Sequence, residues 1–432
     1  MNKSAIKTTK PASLRFSVLL SLLLTCHVAQ AQSPVCGSPF NPMPVLQPVL
    51  PSASFSQSDA AVDCYMWQTF IYLTWPAKAG QGGQPDPNAS YGKGGATVWE
   101  TFRQFDTVFL PNGQKPLPWN SGTLMRATKK PRVLKNTSKM FRALSTAEST
   151  ALDETQQAGG GVLIDQNGQT VYYEMSMNQT EFNYITTNTL YEANQQNAYA
   201  QNTGIVLPPD SIEIKAAWKV LSTQEANATP PRFHTTLALL PNQPKAVTMG
   251  LVGLHIMVVP SATNFNQGFW ATFKQVDNAP LAGAAGQGPY SFYNPACSPA
   301  NCPVNVQTKA PTPTQVQQVF DAPPEAQGVN TYIAQMIASS STPSAVWQNY
   351  QLIDVQWPTS PQSIQGPGKK PPLPNGTPNT NTLMNPVLET FLQQQNLSCL
   401  TCHTGASTAK AQGFPGFTSG YSFLFGHAKP SQ

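Results

Sequence analysis

The chain has 432 residues, of which only 10% are charged, while 41 are Pro and 29 are Gly. Its formal charge of +5 includes a basic leader, so the remainder is nearly balanced, and the absence of a Lys/Arg run excludes the electrostatic footprint of a nucleic-acid or anionic-surface binder. The length supports one large or two moderate domains, and the composition suits a loop-rich, strand-rich extracytoplasmic protein better than a helical cytosolic one.

At the N-terminus Lys3, Lys7, Lys10 and Arg15 precede an apolar run from Phe16 to Leu24, followed by Ala29-Gln30-Ala31. That order predicts a signal peptide over 1–31, cut after Ala31, and hence a periplasmic or secreted protein. The run is too short to span a bilayer, no later stretch is long enough, and Leu24-Thr25 ahead of Cys26 is a poor lipidation signal, so no membrane span is expected after cleavage.

From Asp59 to Pro76 the spacing of Trp67, Phe70, Ile71, Leu73 and Trp75 predicts a buried helix. A Gly/Pro-rich loop follows, and then Trp99 and Phe102 of VWETF as core anchors. Residues 162–175 read as a strand pair turning at Asn167-Gly168, with a short helix from Gln179 to Ile185 after it. Ile212–Leu221, Phe233–Leu240, Val247–Val259 and FWATF around Trp270 read as strands, rich in β-branched residues. Together these predict an α+β fold: a large β-rich domain over 32–357 with peripheral helices.

The stretch from Val276 to Pro313 reads as loop. Helical spacing of Val316, Val319 and Phe320, and of Ile333 and Ile337, predicts short helices over Pro313–Ala322 and Asn330–Ala338. Residues 358–380 form a Pro-rich strap or linker. Asn385-Pro386 then places a capping side chain and Pro in the order that opens a helix, with Val387, Leu388, Phe391 and Leu392 on one face and an end near Asn396. The segment 381–432 is expected to be short, helical and packed against the large domain.

Without Cys26 six cysteines remain, and the last two stand in CLTCH, Cys399 to His403. Two cysteines three apart share one side of a helical turn, so both sulfurs can reach the vinyl groups of one porphyrin as thioethers. His403, one turn beyond Cys399, can then offer the proximal nitrogen to iron. A chance match anywhere in a chain of this composition is on the order of one in a thousand. A redox disulfide between Cys399 and Cys402 is the first alternative, although such a pair should open a helix after a strand. Zinc held with Cys297 and Cys302 is the second, disfavoured where cysteines are oxidised. With haem on the last pair, Cys36, Cys64, Cys297 and Cys302 can pair completely in one of three ways. Cys36 with Cys64 and Cys297 with Cys302 is favoured, because only a short loop containing Pro299 separates the latter two.

Beyond the pentapeptide, DCYMWQTFIYLTWP, VWETF, GLHIMVV followed by FWATFKQVDNAP, and SCLTCH with a short aromatic tail resemble exported bacterial c-type cytochrome family proteins. In these a large N-terminal region precedes a single C-terminal CxxCH. The resemblance implies one covalent haem c and electron transfer with a redox partner protein or a small-molecule donor or acceptor. Residue by residue it carries over Cys399, Cys402 and His403 alone. In small class I cytochromes c the motif comes early and a Met ligand follows. Here no Met follows His403, so the opposite axial ligand is expected from His427, from upstream at His255, Met384, Met257 or His234, or from no side chain. Two strong ligands favour electron transfer. An open iron face favours a haem-dependent oxidoreductase or peroxidase-like enzyme, or a haem-based ligand-binding sensor. Asp63, Glu100, Asp106 and Glu174 are acids near aromatic segments that the sequence does not pair, and no other catalytic motif is present.

Overall fold

The computed structural model describes Met1, Cys36, Leu50 and residues 58–121, 132–133, 160–240, 245–261, 267–284, 288–340, 342, 345–357, 383–393 and 398–432. Apart from Met1 these belong to one unit, Ser33–Gln432. The signal-peptide reading and the Pro-rich strap lie outside the described residues.

Helix α1 (Asp59–Thr74) begins where the Ser58 hydroxyl accepts the Ala61 N–H. It is apolar almost all round because it is buried almost all round, with Trp67, Phe70 and Leu73 essentially inaccessible. The sheet on which it lies is built from β1 (Arg103–Gln104), β2 (Arg132–Val133), β3 (Tyr172–Met177), β4 (Ile212–Val220), β5 (Thr235–Leu239), β6 (Val247–Val258), β7 (Phe269–Gln275) and β8 (Tyr350–Gln356). All neighbours are antiparallel except β2 and β5, and the main path runs β1-β3-β4-β6-β5-β2. The long β6 pairs with β4 along one edge, while its other edge is shared by β5 and then β7, which carries β8. Helices α2 (Gln179–Thr187), α3 (Ala193–Asn202), α4 (Thr223–Ala226) and α5 (Pro324–Ala338) surround it. The class is α+β.

One sheet face packs on α1: Tyr65 meets Phe269 and Trp67 meets Phe273 edge to face, at 5.2 and 5.0 Å between ring centres. Asn330 of α5 accepts from Trp67 Nε1 and Leu352 N–H and donates to Leu352 O, joining both helices to β8. The opposite face takes the C-terminal chain. Tyr173 Oη donates to Val387 O, Asn385 Nδ2 donates to Thr272 Oγ1 and Phe273 O, and Gln356 Oε1 accepts from Leu400 N–H. Gly253 on β6 lets that chain approach, since a Cβ there would stand 2.6 Å from Val387 Cγ2. Farther along, α3 holds the tail, with Ala409 N–H donating to Gln196 Oε1 and Asn197 Nδ2 to Ala409 O.

Two disulfides join Cys36 to Cys64 and Cys297 to Cys302. Three expectations about elements need correction. Residues 313–322 are extended, because their backbone bonds run outward: Val316 N–H to Phe292 O and Gln318 N–H to Pro280 O. The segment after Asn385 forms turns and a 3-10 helix at Thr390–Leu392 rather than an α-helix, because Asn385 and Val387 give their polar groups to the sheet. The strand expected before Asn167-Gly168 contributes only an isolated bridge, Ile164 to Thr170.

Candidate haem site

The pentapeptide forms a single turn, α6 (Cys399–His403), opened by Ser398, whose hydroxyl accepts the Thr401 N–H. Among the described residues Cys399 and Cys402 are the cysteines outside the disulfides. Both line one cleft with His403, between this turn and the C-terminal face of the sheet. Register builds the sheet wall. Met175, Lys215, His255 and Thr272 are direct cross-strand partners in one row on β3, β4, β6 and β7. Glu213, Met257 and Trp270 form the row beside it. Leu383, Met384, Glu389, Leu392, Phe423 and Leu424 close the cleft from the C-terminal chain. Its cavity volume is about 90 Å³, and the atom-free space that also takes in solvent at its mouth is about 860 Å³.

His403 is held on three sides. Its ring lies 4.2 Å from that of Trp270 and 4.8 Å from that of Phe423, and its Nδ1 is 2.7 Å from the carbonyl oxygen of Tyr421. That oxygen can only accept, so Nδ1 carries the proton and Nε2 keeps a lone pair. Burial, helped by the charges of Lys215 and His255, pushes the His403 pKa down to about 4 against the Tyr421 carbonyl, keeping the ring neutral. Burial, with Glu389 and Cys402 nearby, raises the Cys399 thiol well above its ordinary range.

No family model matches the chain, and no curated protein or solved structure matches it.

The other expected residues separate clearly. His255 lines the cleft on β6, with Nε2 3.3 Å from Glu389 Oε2. Burial alone would raise the Glu389 carboxyl, but His255, Lys215 and the Asn385 N–H together hold it below the usual range. Met257 and Met384 also line the cleft. His427 does not: it packs 4.4 Å from the Phe105 ring, where burial pushes its pKa down to about 4 and its Nε2 has no partner. His234 stacks on Trp347 at 4.6 Å and meets Glu100 at 3.1 Å, away from the cleft. Glu174 accepts from Gln104 and Trp218, Asp106 lies half-buried in the 3-10 turn Phe105–Thr107, and Asp63 is buried in α1.

The donor set fits a haem c. Two thiols outside any disulfide and one neutral imidazole with a fixed tautomer face a largely apolar cleft. Cys297 and Cys302, bonded to each other, have no thiolates to give a zinc ion. Among the described residues no group of three or more His, Cys, Asp or Glu is arranged to hold a metal ion by side chains alone, which a haem iron with one or two protein ligands does not require. Sequence reasoning missed Met175, Glu213, Lys215, Trp270 and Glu389, which only strand register and the return of the C-terminal chain bring to the cleft, whereas the aromatic run 421–425 was expected to cover a porphyrin edge and supplies Phe423 and Leu424 to it.

Proposed function

We propose that this chain is an extracytoplasmic monohaem c-type cytochrome that transfers electrons, with haem bound through Cys399 and Cys402 and His403 as the proximal iron ligand. The observation that carries this reading is the convergence of the two cysteines outside the disulfides and the Tyr421-bound imidazole on one apolar cleft. Haem supplies a one-electron iron couple. The chain's own residues hold the ring nitrogen in one tautomer and exclude water with Trp270, Leu392, Phe423 and Leu424. Among the described histidines other than His403, His255 lines the cleft, which supports it as the opposite ligand. Two imidazole ligands leave no position for substrate, which favours electron exchange with a redox partner protein or small-molecule donor. Leader and disulfides together support an oxidising compartment. Among the described residues no helix is long and apolar enough to cross a membrane.

The His255–Glu389 contact favours a second reading, in which His255 stays with the carboxylate and the iron face is left to a small ligand such as peroxide. One experiment separates the two. Protein from a cytochrome c-maturing host is analysed by oxidised and reduced spectra, acid-acetone extraction and the pyridine haemochrome assay. One unextractable haem per chain with low-spin bands is the expected result. High-spin bands that shift with peroxide or carbon monoxide support the enzyme or sensor, and no covalent haem overturns both.

A further inference from the structure

The cleft contains two kinds of carboxylate. Glu389 has basic neighbours: His255 Nε2 lies 3.3 Å from it, and Lys215 acts on it electrostatically. Glu213 has none. It lines the cleft from β4, and behind it Glu181, in the first turn of α2, is fully buried. With both ionised, two oxygens of Glu181 and Oε1 of Glu213 are buried without a donor, an arrangement that low-dielectric surroundings penalise heavily. A proton held between the two carboxyls supplies the missing donor and removes one charge.

The surroundings show why no cation intervenes. On the same strand and face, Lys215 turns over the Tyr173 ring, 5.8 Å from its centre. Across the sheet Glu213 is opposed by Met177 on β3 and Met257 on β6. From the C-terminal chain it meets the Ser422 hydroxyl, and His403 faces the same cleft from α6. Ser422 follows Tyr421, whose carbonyl binds His403 Nδ1, so the carboxyl pair and the proximal imidazole share one short stretch of backbone.

We propose that Glu213, backed by Glu181, is the proton-accepting group of this cleft, so that reduction of the bound haem is accompanied by proton uptake from solvent at Glu213. This rests on the haem reading above. A one-electron donor passes one electron to the iron, which loses one unit of positive charge. The Glu213 carboxylate takes one proton from water and becomes a neutral acid, and oxidation reverses both. Burial drives the Glu213 pKa up to about 7, against the Ser422 hydroxyl and Glu181, which favour its ionised form. Burial first, and then the neighbouring Glu213 charge, drives Glu181 well above the carboxylate range, which leaves Glu181 as the proton-holding partner.

The test is a spectroelectrochemical titration of the haem-loaded full chain from about pH 5 to about pH 9. In the unsubstituted protein the equilibrium constant for reduction falls on the order of tenfold across that range, and in Glu213→Gln it becomes nearly independent of pH. A flat profile in the unsubstituted protein, or an equal slope in Glu213→Gln, overturns the proposal. Reduction-induced infrared difference spectra of the unsubstituted protein give a second readout that does not depend on the variant folding. A protonated-carboxyl C=O band that grows on reduction supports the proposal, and its absence overturns it. A chain without a pyridine haemochrome sinks the haem reading itself, and does so before any potential is measured.

Discussion

The Nδ1 atom of His403 lies 2.7 Å from the carbonyl oxygen of Tyr421, and Gly420 and Tyr421 aim that oxygen with consecutive left-handed φ angles of 62° and 69°. A bulky non-glycine residue is rarely found there, and it persists where the surroundings over-determine it. Here the Tyr421 ring is buried in the main core, which anchors the turn. The orientation of His403 is therefore set by the tail rather than by its own short helix.

His403→Ala should consequently separate attachment from ligation. Both thiols remain, so haem stays covalently bound at reduced yield, while the axial nitrogen is lost and low-spin bands give way to high-spin ones. Extraction and absorption spectra on the same sample check this. Low-spin bands unchanged in the variant would show that His403 is not an iron ligand.

His255→Ala tests the opposite face. If His255 is the second ligand, carbon monoxide leaves the reduced unsubstituted protein spectroscopically unchanged and binds stoichiometrically to the variant. His427→Ala serves as comparison, because His427 packs on Phe105 outside the cleft. Carbon monoxide sensitivity gained in His427→Ala and not in His255→Ala would reverse the assignment.

Gly253 and Gly328 give opposite stability predictions for the same substitution. At Gly253 an added Cβ meets Val387 Cγ2 at 2.6 Å and Leu388 Cδ1 at 3.2 Å, both short and packed. Gly253→Ala should therefore destabilise by about 1–3 kcal/mol through overpacking, with lower haem loading as the C-terminal chain lifts. At Gly328, inside α5, nothing lies within 4 Å of the new Cβ, so Gly328→Ala should stabilise by about 0.5–1 kcal/mol. Denaturant midpoints measure both, and equal shifts of one sign would contradict the packing described.

Helix α1 and strands β4 to β7 were legible because their apolar patterns are long and regular, and the pentapeptide because its chemistry is local. Strand β8 was not read: in YQLIDVQ a bulge opposite Thr272 and Phe273 breaks the alternation. The polar α3, ANQQNAYAQN, escaped for a different reason, since its stability comes from tail residues some two hundred positions away. Likewise the helical spacing of Val316, Val319 and Phe320 lost to hydrogen bonds from Val316 and Gln318 to distant loops. The sheet wall of the cleft was hidden because Met175, Lys215 and His255 become neighbours only through register.

Asp63 lies in α1 at 1% exposure, and its Oδ1 has no hydrogen-bonding partner. Burial first, and then the nearby charges of Asp354, Asp59 and Glu325, raise its pKa well above the ordinary value. In the unfolded chain the group ionises near the ordinary aspartate value of 3.8, so the folded state binds the proton more tightly. Stability associated with Asp63 is thus fully present below about pH 4 and is lost as pH rises toward the folded pKa, at about 1.4 kcal/mol for each unit between the two. Asp63→Asn removes the titration while keeping the shape. Its advantage over the unsubstituted protein should be small at low pH, grow upward from about pH 4 and level off once the folded carboxyl ionises. Urea unfolding at a series of pH values measures that difference, and an advantage that shrinks with rising pH would mean that Asp63 is stabilised as a carboxylate.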